Sequence, residues 1–251
     1  MSYIPFDPET KAAILRSDLL NRLSFSDIAE LIDYSSDATI LGQIVSTKGT
    51  FKSMAFPNLV TVLGDIDLSQ TLTTVLESFS APLLTTCRTI TVYANDPSTV
   101  LTSFDMSSLI TISHQFQGLF FYNVGMPVLD FSSLVNTNSL GHQVQNCPNL
   151  TTIDLSSLED AGQLTLDTNP LLTSLVLNPA TNLPLSSTII TANNSALPVS
   201  NVNDILVKVD GWGRSNGYLD LSNQTPLAAP TGAGAAAVTS LLGKGWSVTT
   251  D

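Results

Sequence analysis

The sequence predicts a mainly β fold: a solenoid of short parallel strands with a helical amino-terminal element and a small α/β carboxy-terminal cap. Three observations predict it. One short phrase occurs four times, as Pro57-Asn58-Leu59-Val60-Thr61-Val62, Pro82-Leu83-Leu84-Thr85-Thr86-Cys87, Pro148-Asn149-Leu150-Thr151-Thr152-Ile153 and Pro170-Leu171-Leu172-Thr173-Ser174-Leu175. A phrase recurring at about two dozen residues is one unit stacked on its neighbours. A second set, Phe104-Asp105-Met106-Ser107-Ser108-Leu109, Leu129-Asp130-Phe131-Ser132-Ser133-Leu134 and Ile153-Asp154-Leu155-Ser156-Ser157-Leu158, aligns on Asp105, Asp130 and Asp154 in steps of 25 and 24 residues. Finally, Asn123, Asn146 and Asn169 recur 23 residues apart, just ahead of the strand phrase. Apolar and polar residues alternate within each copy, the period of a strand with one face inward, and asparagine suits the turn before it.

In chain order, residues 1–45 read as a helical cap or docking segment. Asp7 caps a helix with Pro8 at its first position, and Ala12, Ile14, Leu15, Leu19, Leu20 and Leu23 form a stripe at helical spacing. Ser24 with Asp27 resembles a capping pair for a second short helix through Ile28, Leu31 and Ile32. The first rung of a solenoid exposes an apolar face and a free sheet edge, which such a segment would cover. Residues 46–210 carry the repeat, with a second strand-like stretch on the far side of each coil (Gly118–Tyr122, Gly162–Leu166). Asn203–Val209 reads as a helical turn. Residues 211–251 form a capping module: a Gly-rich loop from Gly211 to Gly217, a strand Tyr218–Ser222, a small-residue helix to about Leu242, a Gly243-Lys244-Gly245 stop and the strand Trp246–Thr250.

The phrases Leu150-Thr151-Thr152-Ile153-Asp154-Leu155 and Leu172-Thr173-Ser174-Leu175-Val176-Leu177 resemble the Leu-x-x-Leu-x-Leu pattern of the leucine-rich-repeat superfamily, in its irregular bacterial and phage branch, over about residues 46–225. Asn precedes the strand phrase here instead of following it, so the resemblance implies a flattened β-solenoid rather than a curved horseshoe. The ending from Pro230-Thr231-Gly232 through Lys244-Gly245-Trp246-Ser247-Val248-Thr249 resembles the carboxy-terminal segment of repeat proteins predicted in phages and environmental bacteria. It implies a cap and no chemistry.

With 251 residues, 43% of them hydrophobic, the chain can bury a core. Only 12% are charged, about half the usual share, so hydroxyls and amides form much of the wet surface. A net charge of −12 argues against nucleic acid and anionic lipid as partners. No apolar run approaches the roughly 20 residues of a membrane span. The first residues lack the basic and apolar regions of a secretory signal, so the chain reads as made in the cytoplasm without a signal peptide. Cys87 lies on the strand phase and Cys147 precedes a Pro-Asn pair. They therefore occupy different parts of different coils, beyond the about 7 Å limit of a disulfide, and read as buried thiols.

Candidate sites are few, and no cofactor is predicted. Gly232-Ala233-Gly234-Ala235-Ala236-Ala237 fits a dinucleotide fingerprint by spelling but lacks the βαβ context. His114 and His142 have no triad or metal partners at the required spacing. Stacked rungs would hold Asp105, Asp130 and Asp154 about 4.8 Å apart, a ladder that either recruits a weakly bound calcium ion or stays solvated on the strand face. Three glycosylation spellings, at Asn149, Asn193 and Asn223, carry no weight without a signal. Phe116, Phe120, Phe121 and Tyr122 form the densest aromatic patch; alternation turns some outward as an interface while the rest fill the core.

These features predict a non-enzymatic structural or recognition protein. Its setting would be a virion (phage tail, fibre or decoration), with residues 1–45, including Ile14, Leu15 and Leu19, docking on other proteins of the assembly or forming a homo-oligomer. The solenoid would meet a cell-surface glycan or protein. A bacterial surface adhesin is the alternative. A polysaccharide-degrading enzyme is a third reading, with adjacent Glu159 and Asp160 its nearest candidates although a strand would point them to opposite faces.

Overall fold

The computed structural model describes residues 22–24, 39–40, 43–45, 53–69, 76–94, 101–114, 117–137, 141–159, 162–179 and 189–251. Every strand pairing among them is parallel. A ten-stranded sheet runs through residues 22–24, 43–45, 66–67, 90–93, 119–122, 142–145, 163–165, 189–191, 218–221 and 247–250. A five-stranded sheet holds 39–40, 61–62, 86–87, 111–112 and 136–137. Two three-stranded sheets follow one another, 53–55 with 78–80 and 103–105, then 128–130 with 152–155 and 174–177. From 53 to 145 successive stretches of chain visit a three-stranded sheet, the five-stranded sheet and the long sheet in that order. After 137 the five-stranded sheet ends. Two helices, α1 (Val199–Gly211) and α2 (Gly232–Gly243), then alternate with the last strands of the long sheet.

One turn explains both sets of repeated phrases. Leu59, Leu84, Leu109, Leu134, Leu150, Leu158 and Leu172 each donate their backbone N–H to the carbonyl three residues earlier, at 2.9–3.3 Å. All seven leucines are buried. The second turn position is Pro57, Pro82, Pro148 or Pro170 in one set and Ser107, Ser132 or Ser156 in the other. Proline's fixed φ suits that position and it brings no N–H. Serine brings one, and each is accepted by the aspartate two residues before it: Ser107 N to Asp105 Oδ1 at 3.2 Å, Ser132 N to Asp130 Oδ1 at 3.0 Å and Ser156 N to Asp154 Oδ1 at 2.9 Å. The aspartates therefore belong to turns.

The four proline phrases do not occupy equivalent places. After Pro57 and Pro82 the chain enters the five-stranded sheet at Thr61–Val62 and Thr86–Cys87, whereas after Pro148 and Pro170 it enters a three-stranded sheet at Thr152–Leu155 and Ser174–Leu177. Cys87 and Ile153 thus lie in different sheets, a correction to the single alignment. The phrase encodes a corner and an inward leucine, and the length of chain between corners decides which sheet comes next. Cys87 and Cys147 are both free and buried, as read from the sequence.

The asparagine series also shifts. Asn123 and Asn146 have φ of 57° and 56°, the left-handed region that asparagine tolerates. The long-sheet register puts Thr168, with φ 60°, in the third such place and moves Asn169 one position inward. Asn169 is fully buried; its Nδ2 donates to Val144 O (2.9 Å) and Leu166 O (2.8 Å), and its Oδ1 accepts from Cys147 N (3.0 Å). Gln224 repeats that role two rungs later, donating to Ala192 O and Leu221 O and accepting from Leu197 N.

The amino-terminal reading is corrected where it can be compared. Arg22–Ser24 is a strand beside Gln43–Val45, not the end of one helix and the cap of the next, and the sheets begin before residue 46. Pairing of these short segments with the growing sheet outweighs their helical spacing. Residues 1–21 and 25–38, with Ile14, Leu15 and Leu19, lie outside the described residues. At the other end Asn203–Val209 belongs to a 13-residue helix.

The core runs along the stack between the sheets. Phe56, Phe79, Phe104, Phe121 and Phe131 form a chain of ring contacts with centroids 5.2–6.2 Å apart. Stacked apolar columns such as Ile44, Ile66 and Ile90 continue it.

Candidate recognition face

Alternation along each strand of the long sheet divides its side chains between the core and an outer face. Strand Leu119–Tyr122 buries Leu119 and Phe121 and leaves Phe120 and Tyr122 half-buried on the outside. The aromatic patch therefore splits: Phe121 joins the phenylalanine core, Phe120 and Tyr122 face out, and Phe116 lies outside the described residues. Register brings outward neighbours together that sequence spacing leaves apart. Tyr93 pairs with Tyr122, and their rings stack with centroids 5.4 Å apart and planes 14° from parallel. Gln143 and Gln145 follow on the next strand, opposite Phe120 and Tyr122.

Further along, the outer row turns acidic and becomes internally bonded. Gln163 Nε2 donates to Thr165 Oγ1 at 2.9 Å. Asp167 accepts from Thr191 Oγ1 (2.9 Å) and Asn193 N (3.2 Å), and Asn193 Nδ2 donates to Asp220 Oδ2 at 3.3 Å. Burial, helped by the nearby Asp220 charge, holds the Asp167 carboxyl above its usual range despite those bonds. Near the start of the sheet, Arg88 Nε donates to Asp65 Oδ1 at 2.7 Å and Thr89 Oγ1 donates to the same oxygen at 2.8 Å. Burial opposes ionisation of Asp65, but these bonds and the Arg88 charge outweigh it and lower its pKa.

Both histidines serve structure. His142 takes the inward place that isoleucine or leucine fills on neighbouring strands. Its Nδ1 accepts from Leu119 N at 3.1 Å, which leaves Nε2 protonated to donate to buried Thr137 Oγ1 at 2.9 Å. Burial pushes its pKa down to about 4. His114 Nδ1 accepts from Gln117 N at 3.2 Å. Burial pushes the Cys147 thiol up to about 11 and, with the Asp65 charge, raises Cys87 further. Among the described residues no three His, Cys, Asp or Glu side chains gather as a metal set. Asp130 and Asp154 are direct cross-strand neighbours, each also engaged with its own serine N–H.

Outer-face residues that motif reading missed are Tyr93, Gln143 and Gln145. The signal lay in the asparagine series, since the residue just before each left-handed position points outward: Tyr122 before Asn123 and Gln145 before Asn146. Tyr93 stayed hidden because Ala94, with no such mark, follows it.

Comparison of the chain with protein-family models, with curated proteins and with solved structures finds no match. The leucine-rich-repeat resemblance rests on the sequence motifs alone. No helix among the described residues is long and apolar enough to cross a membrane.

Proposed function

We propose that this chain is a non-enzymatic recognition and assembly protein, a rigid leucine-rich-repeat-like solenoid displayed on a larger particle such as a phage virion. The observation that carries the reading is the outer face of the long sheet, where stacked Tyr93 and Tyr122, with Phe120, border Gln143 and Gln145 on the next strand. Aromatic and amide side chains side by side on one sheet face offer a ligand both apolar area and paired donors and acceptors. The solenoid part is supported by the parallel pairing of the ten strands and by seven corner turns closed by the same hydrogen bond. The particle part is supported by the likeness of the carboxy-terminal segment to that of repeat proteins predicted in phages and environmental bacteria. Gold-labelled antibody against the purified protein, applied to particles from the source culture, tests it. Label on tails, fibres or capsids is expected. Label confined to the bacterial envelope would replace the virion setting with a surface adhesin, and polysaccharide cleavage by purified protein would overturn the non-enzymatic part.

A further inference from the structure

We infer that the outer face around Phe120 binds a neutral, linear, hydroxyl-rich glycan lying along the stack across strands 90–93, 119–122 and 142–145. This rests on the recognition reading above and names its ligand class.

The chemistry of the face selects the ligand. Tyr93 and Tyr122 hold each other in place by stacking, and the cross-strand neighbours of Phe120 are Thr91 and Gln143 rather than further rings. Fixed aromatic rings offer apolar area at little conformational cost, which suits the C–H faces of a sugar ring. Gln143 adds an amide that donates and accepts, the match for hydroxyls that do both, and Gln145, whose side chain also hydrogen-bonds Asp167, adds its amide oxygen.

Charge narrows the class further. Between Asp67 and Thr249 no outward strand position of this sheet carries Lys or Arg, and the only charges there belong to aspartates. An anionic polymer would be repelled by this face and by the −12 net charge. A protein partner is less well matched, because beside its aromatics the face lacks the Met, Arg and aliphatic side chains that complete the core of a protein interface. The outward positions of strands 90–93, 119–122 and 142–145 hold no aliphatic side chain and no arginine. Strands repeat at about 4.8 Å, close to the length of one pyranose in an extended chain, so successive sugars would meet successive rungs.

The test is titration of the full-length protein with maltohexaose, chitohexaose and mannohexaose, with a hyaluronan oligomer as anionic control, followed by amide NMR shifts. At least one neutral oligosaccharide is expected to move amides of 91–93, 119–122 and 142–145. Phe120→Ala and Gln143→Ala are each expected to weaken that binding about tenfold. Both side chains are half-exposed, and an unchanged melting temperature would show that the variants fold. The proposal is overturned if no neutral oligosaccharide moves these amides at millimolar concentration, if both variants bind like the parent, or if hyaluronan binds equally. Glycan failure alongside particle labelling would leave the recognition reading intact. Variants that lose binding to intact cells while all sugars are inert would assign the face to a protein instead.

Discussion

In the turn Leu155–Leu158 the backbone N–H of Ser156 donates to Asp154, and in the turn Cys147–Leu150 the same position is Pro148, which has no N–H to place. Aspartate and proline are alternative answers to one hydrogen-bonding demand. Asp154→Ala should therefore cost about 1 kcal/mol in chemical unfolding, and adding Ser156→Pro should recover most of it. An uncorrected double variant would show that the carboxylate acts elsewhere. Asn169, buried with three hydrogen bonds to backbone, is a harsher case, and Asn169→Ala should cost about 3 kcal/mol by the same measurement. His142 gives a pH dependence. Above its ordinary value of 6.5 the ring is neutral in both states and contributes no slope; between 6.5 and about 4 the unfolded chain takes up a proton that the buried ring refuses. Stability should fall by up to about 3 kcal/mol across that window. The variant His142→Leu, paired with Thr137→Val, should lack this component in urea midpoints measured at pH 7 and 5; parallel losses in parent and variant would show that the ring is not sealed.

At the scale of elements, the change from strands to helices needs a device that closes a sheet edge. Asn201, in α1, supplies it: its Oδ1 accepts from Leu175 N at 3.0 Å and its Nδ2 donates to Leu175 O at 3.1 Å. One side-chain amide thus stands in for the next strand beside Ser174–Leu177. Helix α2 then packs on α1 with Gly234 set so close to Asn203 that a Cβ would lie 2.1 Å from its Oδ1. Asn201→Ala is expected to cost about 2 kcal/mol and to raise amide exchange in 174–177 ahead of the rest of the long sheet. Uniform exchange would mean that α1 seals the edge without it. The helix itself was only partly legible: Asn203–Val209 signalled one turn, but Pro198 as its start and the extent to Gly211 depend on burial of Val202, Ile205, Leu206 and Val209 against the stack.

For the whole molecule, stacking makes each rung depend on the one before it. Residues 22–24 and 43–45 are strands of the long sheet, and fully buried Ile44 pairs with Ile66. Deleting residues 1–45 should therefore lower the melting temperature and send the protein to larger species on size exclusion, whereas a separable docking segment would leave both unchanged.

Much of this organisation was legible locally. Turn chemistry and inward leucines lie within six residues of chain, so the sequence alone determined the corners, the period-2 strands, the buried thiols and the aromatic patch on 120–122. What it left open concerns partners distant in the chain. Identical phrases lead into different sheets, Asn169 leaves the register of Asn123 and Asn146, and Tyr93 meets Tyr122 across 29 residues, because coil lengths vary and only the completed stack fixes which rung lies beside which. A parallel sheet is built wholly from such non-local pairings. Sequence therefore determined the kind of unit that repeats, and tertiary register decided the face those units present.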